Sequence, residues 1–282
     1  MQFADLALAR RVEEAEGVSG KICGQAVARL HPESGAAVIK VGGGYAVFTG
    51  ANSPITQAVG LGMRGPVKEA EIERMEAFYR KRGAPVNIEF CPLADAKLFQ
   101  LLVAQGYRPI EFSNVLVRPL KRSEKFPAFA GGVGVRLAKP QEQGLWARTV
   151  AQGFAEHVKV TEELLNVIEA FSSRPAAKCF FGVLDGKIAG GGVLAIYKRL
   201  AVLGGASTLP EFRRRGVQTA LQHARLKFAA REGCDLAMTI TQPGSISQRN
   251  AERRGFHVVY TRVKFLREWP SRRKPGRRQT RA

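Results

Sequence analysis

Nowhere does this sequence sustain an apolar run near the roughly 20 residues that a membrane-spanning helix needs, so no such span is expected. Its four cysteines (Cys23, Cys91, Cys179, Cys234) are far apart, with no Cys-x-x-Cys pair. That spacing argues against a zinc ribbon or dithiol centre and for buried free thiols in a reducing compartment. The four histidines (His31, His157, His223, His257) show no metal-ligand spacing either, so no metal site is expected. The opening segment MQFADLALARRVEEAEG places acids among its apolar residues. It reads as an amphipathic helix and not as a signal peptide, which points to a cytoplasmic protein. Acids are also scarce: 24 Asp and Glu stand against 44 Lys and Arg.

The resulting net charge of +20 attracts polyanions, whether nucleic acid, lipid surface or a phosphorylated small molecule. It does not choose among them, and a general bias toward arginine would produce the same excess. Six of the bases fall in the acid-free segment SRRKPGRRQTRA, residues 271–282, whose composition is that of a disordered tail. No aromatic-interleaved basic motif supports specific nucleic-acid recognition. A salt-sensitive, sequence-blind contact stays open.

An order of elements recurs. Helical periodicity over 68–82 stops at Gly83, and a strand is expected over 86–91. A second helix over 94–105 stops at Gly106-Tyr107, and a strand over 110–117 follows. Far along the chain a helix over 217–232 stops at Gly233, with a strand over 236–241. A short helix near 247–254 then stops at Gly255-Phe256, followed by a strand over 257–266. The two glycines are 23 residues apart in the first set and 22 in the second. Glycine suits helix ends because the chain leaves them through left-handed conformations. Strands are also expected over 37–41, 45–49 and 56–61, and helices over 141–154 and 161–171. A hairpin (179–184, 188–197) turns at Asp185-Gly186, and a strand covers 200–208. The junction of the halves, 122–134, carries the charge, proline and glycine of a linker. The domains expected are 1–125 and 131–270, then the basic tail.

Between the strand over 200–208 and the helix from Val217 lies LPEFRRRGVQTAL, residues 209–221. A helix start exposes unpaired N–H groups and the positive end of the dipole. Gly216 permits close approach, and Arg213, Arg214 and Arg215 add charge, so the turn is an anion cradle. Arg213-Arg214-Arg215-Gly216-Val217-Gln218 resembles the acetyl-CoA-binding motif of the GCN5-related N-acetyltransferases (GNAT): Arg or Gln, two variable residues, Gly, one variable, Gly or Ala. Residues 133–266 resemble the whole fold, and the first half resembles its later portion. The fold implied is α+β (mixed α/β): a central mixed, largely antiparallel sheet flanked by helices, in two GNAT-like halves with a degenerate first copy. The resemblance places the pantetheine arm on the backbone of Ser207, Thr208 and Leu209 and an oxyanion donor on the same strand. It places the pyrophosphate on main-chain amides from Arg214 or Arg215 through Gly216, Val217, Gln218 and Thr219. Asn250 is a further cofactor contact.

Two departures stand out. Gln218 occupies a position that is usually small, and Ala251 stands where many members carry the tyrosine that protonates the departing thiolate. In the first half, AVGLGMRGPVKEAE offers few bases, a proline and two acids, so that half is not expected to bind CoA but to wall the acceptor pocket. The strand over 200–208 carries no acid to serve as base. Glu156 and His157 are candidates by position, and Tyr260 and Tyr197 are candidate acids. The resemblance implies an acetyl-CoA-dependent N-acetyltransferase, with acetyl-CoA as cosubstrate and a primary amine of a small molecule or peptide as acceptor. A catalytically inactive acyl-CoA-binding protein is the alternative. No membrane partner is expected, and monomer and homodimer both stay open.

Overall fold

The computed structural model describes residues 4–126, 132–155, 160–174 and 177–269. Helix α1 (Leu6–Leu30) starts where the Asp5 carboxylate accepts the Leu8 N–H at 2.7 Å. It runs well past the amphipathic segment expected from the sequence. Then follow β1 (Ala37–Val41), β2 (Gly44–Phe48), β3 (Gln57–Val59), α2 (Glu69–Arg80), β4 (Val86–Phe90), α3 (Ala96–Ala104) and β5 (Arg108–Pro119). The second half comprises β6 (Gly134–Leu137), α4 (Gln143–Phe154), α5 (Glu162–Ser172), β7 (Ala177–Leu184) and β8 (Lys187–Tyr197). It continues with β9 (Leu200–Thr208), α6 (Val217–Arg231), β10 (Leu236–Thr241), α7 (Ile246–Glu252) and β11 (His257–Arg267). The β7–β8 hairpin turns at Asp185 and Gly186, with φ of 50° and 74°, the pair of positive values a two-residue turn of this hand requires.

All eleven strands form one sheet in the order β1-β2-β3-β4-β11-β5-β10-β9-β8-β7-β6. Among the described residues only β3–β4 and β9–β10 pair in parallel. From opposite ends the sheet reads β2-β3-β4-β11 and β8-β9-β10-β5, the same sequence of roles twice. The last strand of each half has crossed over. β11 pairs with β4 of the first half, and β5 pairs with β10 of the second. The two crossed strands pair with each other, Val263 opposite Phe112 and His257 opposite Val117. The sheet is therefore continuous from one half to the other.

Helix α1 spans the seam. Its Glu13 is 1% exposed and accepts from Tyr260 Oη and from Arg262 Nε on β11, each at 2.8 Å. The attraction between two charges in a dry core offsets their desolvation only while both are present. We expect Arg262→Met, which strands the Glu13 charge, to destabilise the fold by about 3–5 kcal/mol in urea unfolding. The four cysteines are free and buried. Burial pushes the Cys23, Cys91 and Cys179 thiols up to about 12, far from thiolate chemistry at neutral pH. Among the described residues no helix is long and apolar enough to cross a membrane.

Candidate functional site

Strands β9 and β10 pair only from Leu200–Leu236 to Val202–Met238. Beyond that point they part, and the edge of β9 from Leu203 onward faces a notch. On its other side β9 carries a bulge: Gly191 pairs with Ser207 and Val193 with Gly204, so Gly205 and Ala206 lie opposite the single residue Gly192. A bulge leaves its extra residue out of the ladder and re-aims the backbone. Gly205 adopts φ 48° to make it. Arg225 on α6 holds the bulge, its Nη1 donating to the Val193 carbonyl at 3.1 Å and the Gly204 carbonyl at 3.2 Å. It has no carboxylate partner among the described residues, and burial pushes its guanidinium down to about 10.

The three arginines before α6 do three different things. Arg213 turns inward and donates to the carbonyls of Gly153 and Thr208. Arg214 is exposed, with φ at 61°. Arg215 reaches Asp185 at the hairpin tip, 2.7 Å away. Gly216 follows at φ 84°, and no side chain caps α6. The first helical bond of this turn is Ala220 N–H to the Gly216 carbonyl. Among the described residues no acceptor serves the N–H groups of Arg214 through Thr219. Two left-handed residues flanking a third, with free amides in sequence, make a concave nest for an anion.

One cavity of about 200 Å³ runs from this helix start into the notch, between Gln218, Gln222 and Arg225 on α6 and Ser247, Asn250 and Ala251 on α7. A second, of about 140 Å³, contains Glu16, Ser19, Phe171 and Arg174. Leu203, Gly204, Gly205, Thr239 and Ile240 line both, so the two cavities meet where the strands part. Glu16 comes from α1 of the first half and keeps part of its surface open. Burial raises its carboxyl above the usual range; Arg262 opposes that shift, and Glu13 adds to it. Nothing near Glu16 in the sequence marked it. Its role depends on α1 crossing to the second half's strands.

Among the expected cofactor residues, Gln218 and Asn250 line the first cavity, while Arg214, Arg215, Gly216, Val217 and Thr219 form the turn and helix start beside it without lining it. Ser207 is buried, its Oγ donating to the Val150 carbonyl, and Thr208 Oγ1 is buried without a partner among the described residues. Leu209 departs from expectation. Its N–H donates to the Ala189 carbonyl, so that donor is not free for a ligand, and its carbonyl already accepts from Phe212. Tyr260 is not at the notch: its hydroxyl is engaged with Glu13, and burial raises it far above its ordinary value. Tyr197 sits at the far end of the β8–β9 hairpin and donates to Glu14. Glu156 and His157 lie outside the described residues. In the first half, GLGMRG precedes α2, but the Glu71 carboxylate accepts the N–H groups of Gly42 and Lys68 there. A negative group of the chain itself thus stands at that helix start.

Residues 146–256 match the model of the Acetyltransferase (GNAT) family. The matched stretch runs from α4 to just past the end of α7, within the second half. The chemistry this family implies is acyl-CoA-dependent acetyl transfer. A GCN5-related N-acetyltransferase from Kribbella flavida is similar in fold, with TM-score 0.63 and 18% identity over 89% of this chain and 95% of that one. A tandem GNAT protein from the clavulanic acid biosynthesis pathway gives TM-score 0.56 at 18% identity, over 81% of this chain and 80% of that one. A GCN5-related N-acetyltransferase from Sphaerobacter thermophilus gives 0.56 at 17%, over 70% of this chain and 66% of that one. No curated protein matches the sequence. The architecture is thus the GNAT fold, a mixed and largely antiparallel sheet flanked by helices, as in tandem relatives.

Proposed function

We propose that the chain is an acetyl-CoA-dependent N-acetyltransferase for a primary amine, in which the second half holds the cofactor and the first supplies the base. One observation carries this reading: two cavities on a shared wall, one beside a helix start whose amides have no acceptor among the described residues and the other with a carboxyl raised by burial. The residues present fit the cofactor. The nest over Arg214 to Thr219 suits a pyrophosphate, the open edge of β9 suits an extended polar arm, and Asn250 adds a contact. Acetyl-CoA supplies the activated acyl group. The bulge at Gly205 and Ala206 supplies backbone donors for a carbonyl oxygen. Glu16 takes the proton of an ammonium acceptor, and its raised basicity suits that task. No tyrosine lines the first cavity, and Ala251 is 1% exposed in its wall. A thiolate with a conjugate acid near pKa ~8.5 leaves without a strong acid, so water in the open cleft can protonate it.

Ala251 favours a second reading, an acyl-CoA-binding protein without turnover. Release of free thiol from acetyl-CoA across an amine panel separates the two. Acceptor-dependent release supports the enzyme; binding of CoA with no release across the panel supports the second reading.

A further inference from the structure

Arg174, at the end of α5, is 6% exposed, yet no carboxylate pairs with it among the described residues. Its Nη1 donates to Ser19 Oγ at 2.7 Å and its Nε to the Phe171 carbonyl at 3.4 Å. The second terminal nitrogen has no protein partner among the described residues. A buried guanidinium with only neutral partners is costly, and its desolvation is reflected in a lowered pKa. Arg174 lines the Glu16 cavity and also an adjoining one of about 210 Å³ whose wall is apolar, including Ile22, Ala195 and Val202. The acceptor side therefore offers one acid, one cation and an apolar annex in sequence.

Resting on the acetyl-transfer reading of the notch, we infer that the acceptor is an amino acid with a free carboxylate and an apolar side chain. The carboxylate pairs with Arg174 and Ser19, the ammonium faces Glu16, and the side chain fills the annex. A single guanidinium matches a monoanion; a phosphate dianion calls for a second cation, and none lines either cavity. A polyamine meets only one acid there and is repelled by Arg174.

Calorimetry on the full chain saturated with CoA, using L-leucine, L-leucinamide and isopentylamine, tests this. Leucine is expected to bind at least ~30-fold tighter than either analogue, and the same order is expected in kcat/KM for thiol release. In Arg174→Gln the leucine-to-leucinamide ratio should fall to near one. If that variant does not fold, the wild-type ratio decides. Equal binding and equal turnover of the three amines overturn the proposal and leave the acetyl-transfer reading standing. Failure of the chain to bind CoA overturns the reading beneath it.

Discussion

Glu16→Gln is expected to lower kcat for acetyl transfer by about 10²- to 10³-fold, the range of a removed general base. CoA affinity should stay within about twofold, because the side chain lies on the opposite face of the parted strands. The amide keeps the shape and loses only the ability to accept the proton. The pH profile gives the sign. A base works when ionised, so wild-type activity falls as pH drops through the raised pKa of Glu16, above the ordinary carboxylate range of ~4.3. The charged groups around it are Arg262, Glu13, Glu89 and Arg174, and Gln at position 16 removes this acid limb. Stability runs the other way. A carboxyl whose folded pKa is raised favours the fold below its unfolded pKa and loses that contribution as pH rises through the folded value. Above its folded pKa the ionised group therefore costs stability, and in that range Glu16→Gln should melt higher than wild type. Lost activity with a raised Tm is a pairing that mere damage to the fold does not produce; unchanged kcat would remove Glu16 from the chemistry.

Gly216→Val is expected to weaken CoA binding by about 10- to 100-fold, the loss of one charge-assisted hydrogen bond. At φ 84° a β-branched residue is strained by about 1–3 kcal/mol, and relief of that strain closes the nest. Asp185→Ala, which frees Arg215 from its exposed ion pair, serves as the contrast and should leave affinity nearly unaltered. A clear gain in affinity for Asp185→Ala, with Gly216→Val unaltered, would mean that charge, and not turn geometry, holds the cofactor.

Much of this arrangement is legible in the sequence because it is local. Strands β9 and β10 begin and end at the expected residues, and the Asp185-Gly186 turn, the helix-end glycines and the Gly216 start all sit where local chemistry puts them. What the sequence hides is long-range. The exchange of β5 and β11 leaves no periodic trace, since each strand looks the same whichever neighbour it takes. The edge strand β6, only four residues and mostly exposed, carries too weak an alternation to be read. Tyr260 looked free to act only while Glu13, 247 residues away, was out of view. Glu16 and Arg174 belong to one cavity only because α1 lies across α5 and β9. Each of these is a tertiary contact that propensity and spacing do not encode.

Titration calorimetry of the wild-type chain with CoA and with its 3′,5′-ADP fragment, which lacks the pyrophosphate, puts the central claim to the test. One-to-one association of CoA, with affinity lost for the fragment, is the predicted result. Absence of heat with CoA at millimolar concentration, or equal affinity for the fragment, would contradict a cofactor held by its pyrophosphate at the start of α6.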